Sequence, residues 1–299
     1  MIARPSRRRL RERLRTDGRA ARTVRPRRGV TLVELLVSVA ILGILGTAAV
    51  RLFVSQSQFV DQQVRQRSAR TVSRVSLNLM LQELRDVEAS GGVLAADRHS
   101  LSVRVPYALG MTCGTDGGRT VVSLLPVDSA LFASAAFAGY AYRLGSAGYT
   151  YVDAAAALPV VASGLCTANG ITTLARGALL QLTPPIPPPF HVGTPLFAFQ
   201  RIDYAFLPSV LVPGRLALWR AVQGGPREEV AVPFDSSSAF RFFSAGDDSS
   251  RAAPPADLST VRGVELEFIG ASERARPGRT TPELSRQRSA VFFLNRPEP

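Results

Sequence analysis

The chain has 299 residues, 46% of them hydrophobic, which is enough for one large domain or two small lobes. Its net charge is +13, and every one of the 36 basic residues is arginine. Twelve of them crowd residues 1–29 against only Glu12 and Asp17, so all but +3 of the excess lies in a solvated N-terminal tail, which excludes a basic nucleic-acid-binding domain as its source.

After that tail, residues 30–50 carry a single charge, Glu34, between Arg28 and Arg51. As a helix they span about 31 Å, the thickness of a bilayer core. The basic flank predicts residues 1–29 on the cytoplasmic side and the remainder outside it, a single-pass arrangement. An ordinary secretory signal would be shorter and followed by small residues at a cleavage site; here more helix follows.

No proline occurs between Arg27 and Val105, and no glycine between Gly46 and Gly91. The expectation is one helix over residues 30–89, capped at its end by the Gly91–Gly92 pair. Phe53, Val60, Val64, Val75, Leu79 and Leu84 recur near helical spacing, so they are expected to form the stripe that packs on the following domain.

From residue 90 to 299 the pattern becomes short alternating or apolar runs, among them LSVRVPY, TVVSLL, LFAFQRIDYAFL, RLALWRAV, EEVAVPF, AFRFF, VRGVELEFIG and SAVFFLN, with Gly, Pro, Ser and Asp between them. This predicts an antiparallel β-rich domain and, overall, an α+β protein whose long N-terminal helix packs on a sheet. AVQGGPREEVAV reads as a hairpin. The proline-dense segment at 184–195 reads as an extended crossover or as the boundary between two lobes, and SAGDDSSRAAPPADLS as a mobile loop.

Catalytic signatures are sparse. His99 and His191 are the only histidines and read as surface or turn residues; phosphate-cradling and nucleophile-elbow motifs are absent, and no metal or cofactor is expected. Asp247 and Asp248 read as solvated acids in preference to a calcium loop, and Phe240, Phe242 and Phe243 as strand residues in preference to a base-stacking platform. Cys113 and Cys166 lack zinc-site spacing. Outside the cytoplasm they can pair, worth about 4 kcal/mol on the chain-entropy account; two unpaired thiols are the alternative.

The segment RRGVTLVELL, residues 27–36, resembles the prepilin signature of type IV pilins and type II secretion pseudopilins: a glycine, a hydrophobic residue, then Thr-Leu-x-Glu opening a long apolar helix. The resemblance implies cleavage between Gly29 and Val30 by a prepilin peptidase, loss of the leader 1–29, and methylation of Val30. That residue is most often Phe in the family. It further implies that Glu34 pairs with the N-terminus of a neighbouring subunit. LNLMLQELRDVEASGG and the order of the strands are similar to PilW-type minor pilins and J-type pseudopilins. The implied protein is a minor pilin or pseudopilin and not an enzyme. Its partners would be prepilin peptidase, other pilins through the N-terminal helix and an inner-membrane assembly platform, with its filament at the cell surface or in the periplasm. DNA uptake, hence nucleic acid as partner, stays open, as does a membrane-anchored extracytoplasmic binding module or enzyme. Type IV pilus, competence and type II secretion assignments stay open too.

Overall fold

The computed structural model describes residues 29–144, 148–160, 164–275 and 280–294; the arginine-rich stretch 1–28, where most of the expected leader lies, is outside the described residues. The chain divides into two units, one ending at Gln56 and the other running from Ser57 onward. Helix α1 (Leu32–Leu84) comes first, followed by β1 (Val93–Asp97), β2 (Ser100–Asp116), β3 (Arg119–Leu124), helix α2 (Pro126–Ser134), β4 (Gly139–Tyr142), β5 (Thr150–Asp153), β6 (Ala156–Val160) and helix α3 (Gly164–Ala168). The second run is β7 (Leu179–Thr183), β8 (Pro195–Pro208), β9 (Leu216–Val222), β10 (Arg227–Phe234), β11 (Ala239–Ser244), β12 (Val261–Ala271) and β13 (Leu284–Phe292). The protein is α+β, a long helix and an antiparallel sheet.

Two long strands organise the sheet. β2 and β8 pair antiparallel from Ser100↔Ala205 to Met111↔Pro195. On its other edge β8 pairs first with β4, then with β9, while β2 takes β1 near its start and β3 near its end. From β9 the order continues through β10 and β12, with β11 and β13 flanking β12; from β3 it continues through β7 to β6. β6 contains Pro159, which an edge strand tolerates because one side of its backbone needs no ladder partner.

The core accordingly forms two main clusters. The larger holds Leu77, Met80 and Leu84 of α1 against Phe206, Phe234, Phe240 and Phe268, whose rings lie 5.3–5.7 Å apart in most pairs. Each such side chain contributes about 1.5–3 kcal/mol on burial. The second holds Val122, Tyr140, Tyr142, Leu180 and Leu182. The proline segment, residues 184–194, is a crossover inside this single sheet: it runs from β7 to β8, anchored where the buried Ile186 donates its N–H to Thr120 Oγ1 at 2.9 Å and Tyr140 donates to the Pro184 carbonyl at 2.5 Å. Strand β8 enters both clusters, with Leu196 in the second and Ile202, Tyr204 and Phe206 in the larger, and both lie in the unit that runs from Ser57, so they are not separate lobes.

Three expectations are corrected. First, α1 stops at Leu84, before the Gly pair: Val87 donates to the Leu84 carbonyl, and Ala89 and Val87 then pair with Leu294, so a strand-like bridge captures the chain. Gly91 takes φ +84° in the turn after that bridge and does not cap the helix. Second, the docked face of α1 is not the large-residue stripe. Phe53, Val60, Val64 and Val75 are exposed and Leu79 is half-buried, and only Leu84 of the expected set is fully buried. The buried positions Ala69, Ser73, Ser76, Leu77, Met80 and Leu84 lie about 180° around the helix from Val60, Val64 and Val75. Small residues win because the helix approaches β12 closely: Gly270 N–H donates to Ser73 Oγ at 2.9 Å. Farther along, Arg220 on β9 pairs with Glu83 at 2.7 Å.

Third, part of the segment expected to be mobile, residues 247–251, is tied to its surroundings. Arg251 pairs with Asp247 at 2.7 Å and Arg262 with Asp248 at 2.5 Å, and Phe242 and Arg251 form a bridge. Ser249 hydroxyl and amide donors hold the Asp247 carboxyl down at about 2, with Arg251 adding to the effect.

Cys113 on β2 and Cys166 on α3 form a disulfide across a sequence separation of 53, in a small cluster with Val121. The double substitution Cys113→Ala/Cys166→Ala is expected to cost about 4 kcal/mol, mostly by freeing the unfolded chain. Thermal unfolding of oxidised protein and of the double variant checks this; equal midpoints would show that the bridge contributes nothing.

Candidate functional site

Gly29, Val30 and Thr31 are non-helical and exposed, and the space where a Gly29 side chain would sit is open for 4 Å. The backbone on either side of the Gly29–Val30 bond is therefore accessible. Thr31 begins the helix. Its Oγ1 accepts from the Glu34 N–H at 3.3 Å and its carbonyl from the Leu35 N–H at 3.2 Å. This makes Thr31 the N-cap and Glu34 the third helical residue, the spacing of a capping box. The carboxylate sits in the first turn, where the helix dipole favours a negative charge by about 0.3–1 kcal/mol. Ser38 donates its hydroxyl to the Glu34 carbonyl at 2.7 Å, satisfying that group a second time. No side-chain partner of the Glu34 carboxylate is present among the described residues.

Around this acid every side chain from residue 29 to 61 is exposed, including Leu32, Leu42 and Ile44. Helix α1 is long and apolar enough to cross a membrane, by length and composition. The sequence reading found Glu34 and the apolar run but missed the cap; the Thr-x-x-Glu spacing at 31–34 is the signal that carries it.

The remaining named residues lie elsewhere and do not converge. His99 occupies the turn between β1 and β2, and its carbonyl accepts from the Phe206 N–H. His191 is exposed in the β7–β8 crossover, its carbonyl accepting from Thr112 Oγ1 at 3.1 Å. Among the described residues no group of three His, Cys, Asp or Glu side chains is placed to hold a metal ion. Asp247 and Asp248 each engage an arginine, as above. Phe240 and Phe242 are core residues of β11, and Phe243, on the opposite face, meets Phe292 at 5.0 Å over Gly263, where a side chain would collide with the Phe292 ring.

An accessible glycine, a capped helix start and one acid in the first turn of an exposed apolar helix define a prepilin-like N-terminal segment. Residues 24–50 match the family model of the prokaryotic N-terminal methylation motif, a class III signal peptide. No curated protein and no solved structure matches the chain. Such a segment implies prepilin peptidase processing and pilin-type assembly in general.

Proposed function

We propose that the protein is a minor pilin or pseudopilin, a structural and assembly-initiating subunit of a type IV pilus or related filament, without enzymatic activity. Prepilin peptidase cuts between Gly29 and Val30 and Val30 becomes the methylated N-terminus. Residues 1–29 face the cytoplasm before cleavage, and the β-rich domain lies outside it. On an inner-membrane assembly platform the apolar half of α1 then leaves lipid and enters the filament among the helices of other pilins. Glu34 sets the register of that transfer by pairing with the amine of a neighbour's Val30.

The observation that carries this reading is the Thr31-capped helix start, with a carboxylate at Glu34 that has no side-chain partner among the described residues, inside a segment that matches the methylation motif. An ionised carboxylate costs about 2.5–3.5 kcal/mol at the centre of a membrane-spanning helix on insertion scales and less toward its end, where Glu34 sits; a partner would remove that cost. Intact-mass and peptide mass spectrometry of the protein from cells with active prepilin peptidase is expected to show residues 1–29 missing and one methyl group on Val30. An intact N-terminus would overturn the proposal.

A further inference from the structure

Strand β13 pairs with β12 alone, and its phase in that ladder is fixed at both ends. Ser272 N–H donates to the Glu283 carbonyl and Phe293 N–H to the Arg262 carbonyl, so the odd-numbered residues of β13 turn their backbone groups toward β12. The even-numbered residues turn theirs away. At Leu294 this outer row is in use: its N–H donates to the Val87 carbonyl and its carbonyl accepts from the Ala89 N–H, so the segment after α1 lies along the edge in a parallel bridge. Earlier in the strand the row is open. The N–H and C=O groups of Arg286, Arg288 and Ala290 have no backbone partner among the described residues, and all three residues are exposed.

Such a row is a template for one more strand. The charge beside it selects which strand. Arg286 and Arg288 stand on the exposed face and share one carboxylate, Glu267, at 3.4 and 2.6 Å. On the opposite face the Ser73 hydroxyl of α1 donates to the Ser285 carbonyl at 3.4 Å, and Arg70 and Arg74, within one turn of Ser73, are exposed with no ion-pair partner among the described residues. A second copy adding along this edge would bring its own Arg286 and Arg288 into the ladder, and like charges across a ladder are destabilising. A strand with carboxylates at every second position sets them opposite Arg286 and Arg288 on the same face.

We propose that residues 286–290 of β13 dock an extended acidic segment of a partner polypeptide, which adds to the sheet edge through main-chain hydrogen bonds and places alternate carboxylates against Arg286 and Arg288. The edge belongs to the β-rich unit, so its test is independent of how the N-terminal segment is processed.

The test titrates the full chain in detergent micelles with acetyl-TVEVEVT-amide, followed by calorimetry and hydrogen exchange. Saturable binding is expected with a dissociation constant of about 0.1 mM that weakens as salt is added. The amides of residues 286, 288 and 290 are expected to exchange more slowly in the complex. Acetyl-TVKVKVT-amide, which reverses the charge, is expected to bind at least about tenfold more weakly. The same loss is expected for the glutamate peptide with every valine and glutamate nitrogen methylated, which keeps the carboxylates and removes the backbone donors. The double variant Arg286→Gln/Arg288→Gln is expected to lose the preference for glutamate over lysine. No saturable binding, equal binding of the lysine or the methylated peptide, protection confined to other residues, or a full preference retained by the double variant would each overturn the proposal.

Discussion

A Glu34→Ala chain is expected to lose its leader and gain its methyl group normally, and then to be missing from filaments. The helix start survives the substitution, because the cap comes from Thr31 Oγ1 and the backbone of residues 34 and 35. What the helix loses is a favourable dipole interaction of about 0.3–1 kcal/mol, and removing a charge from an apolar helix offsets that loss in lipid. Membrane retention should therefore be unchanged or stronger. In the assembled state the balance reverses. If the amine of Val30 from a neighbour sits among apolar helices, deleting its carboxylate leaves an uncompensated buried charge, which costs about 3–5 kcal/mol. That corresponds to an incorporation defect of about 100-fold or more, read by comparing sheared filaments with the membrane fraction. Glu34→Gln should behave nearly as badly, since it keeps the shape and removes the charge. Thr31→Ala, which costs about 1 kcal/mol of capping, should behave far better. Normal incorporation of Glu34→Ala would show that the pairing with Val30 is dispensable.

Much of this was legible because the signals were local. An apolar run with one acid, framed by arginines, needs no tertiary context to be recognised, and the runs from LSVRVPY to VRGVELEFIG fall largely in strands, as do residues 289–292 at the start of SAVFFLN. β1, β6 and β7 were missed. The first two have alanine-rich cores, and Pro159 in β6 argues against a strand until its edge position is known. Helix α2 hid because Pro126 reads as a loop residue and turns out to be at its start, where its missing N–H costs nothing. The docked face of α1 was misread for a different reason. Hydrophobic periodicity finds the large residues, Val60, Val64 and Val75, whereas the face that meets the sheet is chosen by how closely two backbones can approach. That choice depends on Gly270, about 200 residues away in the chain, and no window of sequence contains both.

Gly270→Val is expected to destabilise the β-rich unit severely. A side chain on residue 270 would be driven into the Ala69 carbonyl oxygen, and it would meet Ser73 Oγ at 2.5 Å. The first obstacle is backbone of a helix and cannot rotate away. α1 would have to lift from β12, and overpacking of this kind costs about 1–3 kcal/mol. Lifting also breaks the bond from Gly270 N–H to Ser73 Oγ, in a place with no water to replace it, at a further cost of about 1–3 kcal/mol. Leu77, Met80 and Leu84 follow on the same face, so the ring cluster of Phe206, Phe234, Phe240 and Phe268 loses part of its cover. The total of about 2–6 kcal/mol is a large share of the 5–15 kcal/mol that holds a domain folded. Thermal unfolding of the full chain in detergent, with hydrogen exchange of residues 69–84, measures it. Ser73→Ala separates the two contributions: it keeps the close approach and removes the hydroxyl, and is expected to cost about 1–3 kcal/mol. If Gly270→Val instead melts within a few degrees of the parent and protects α1 equally, then the helix does not depend on this contact for its place on the sheet.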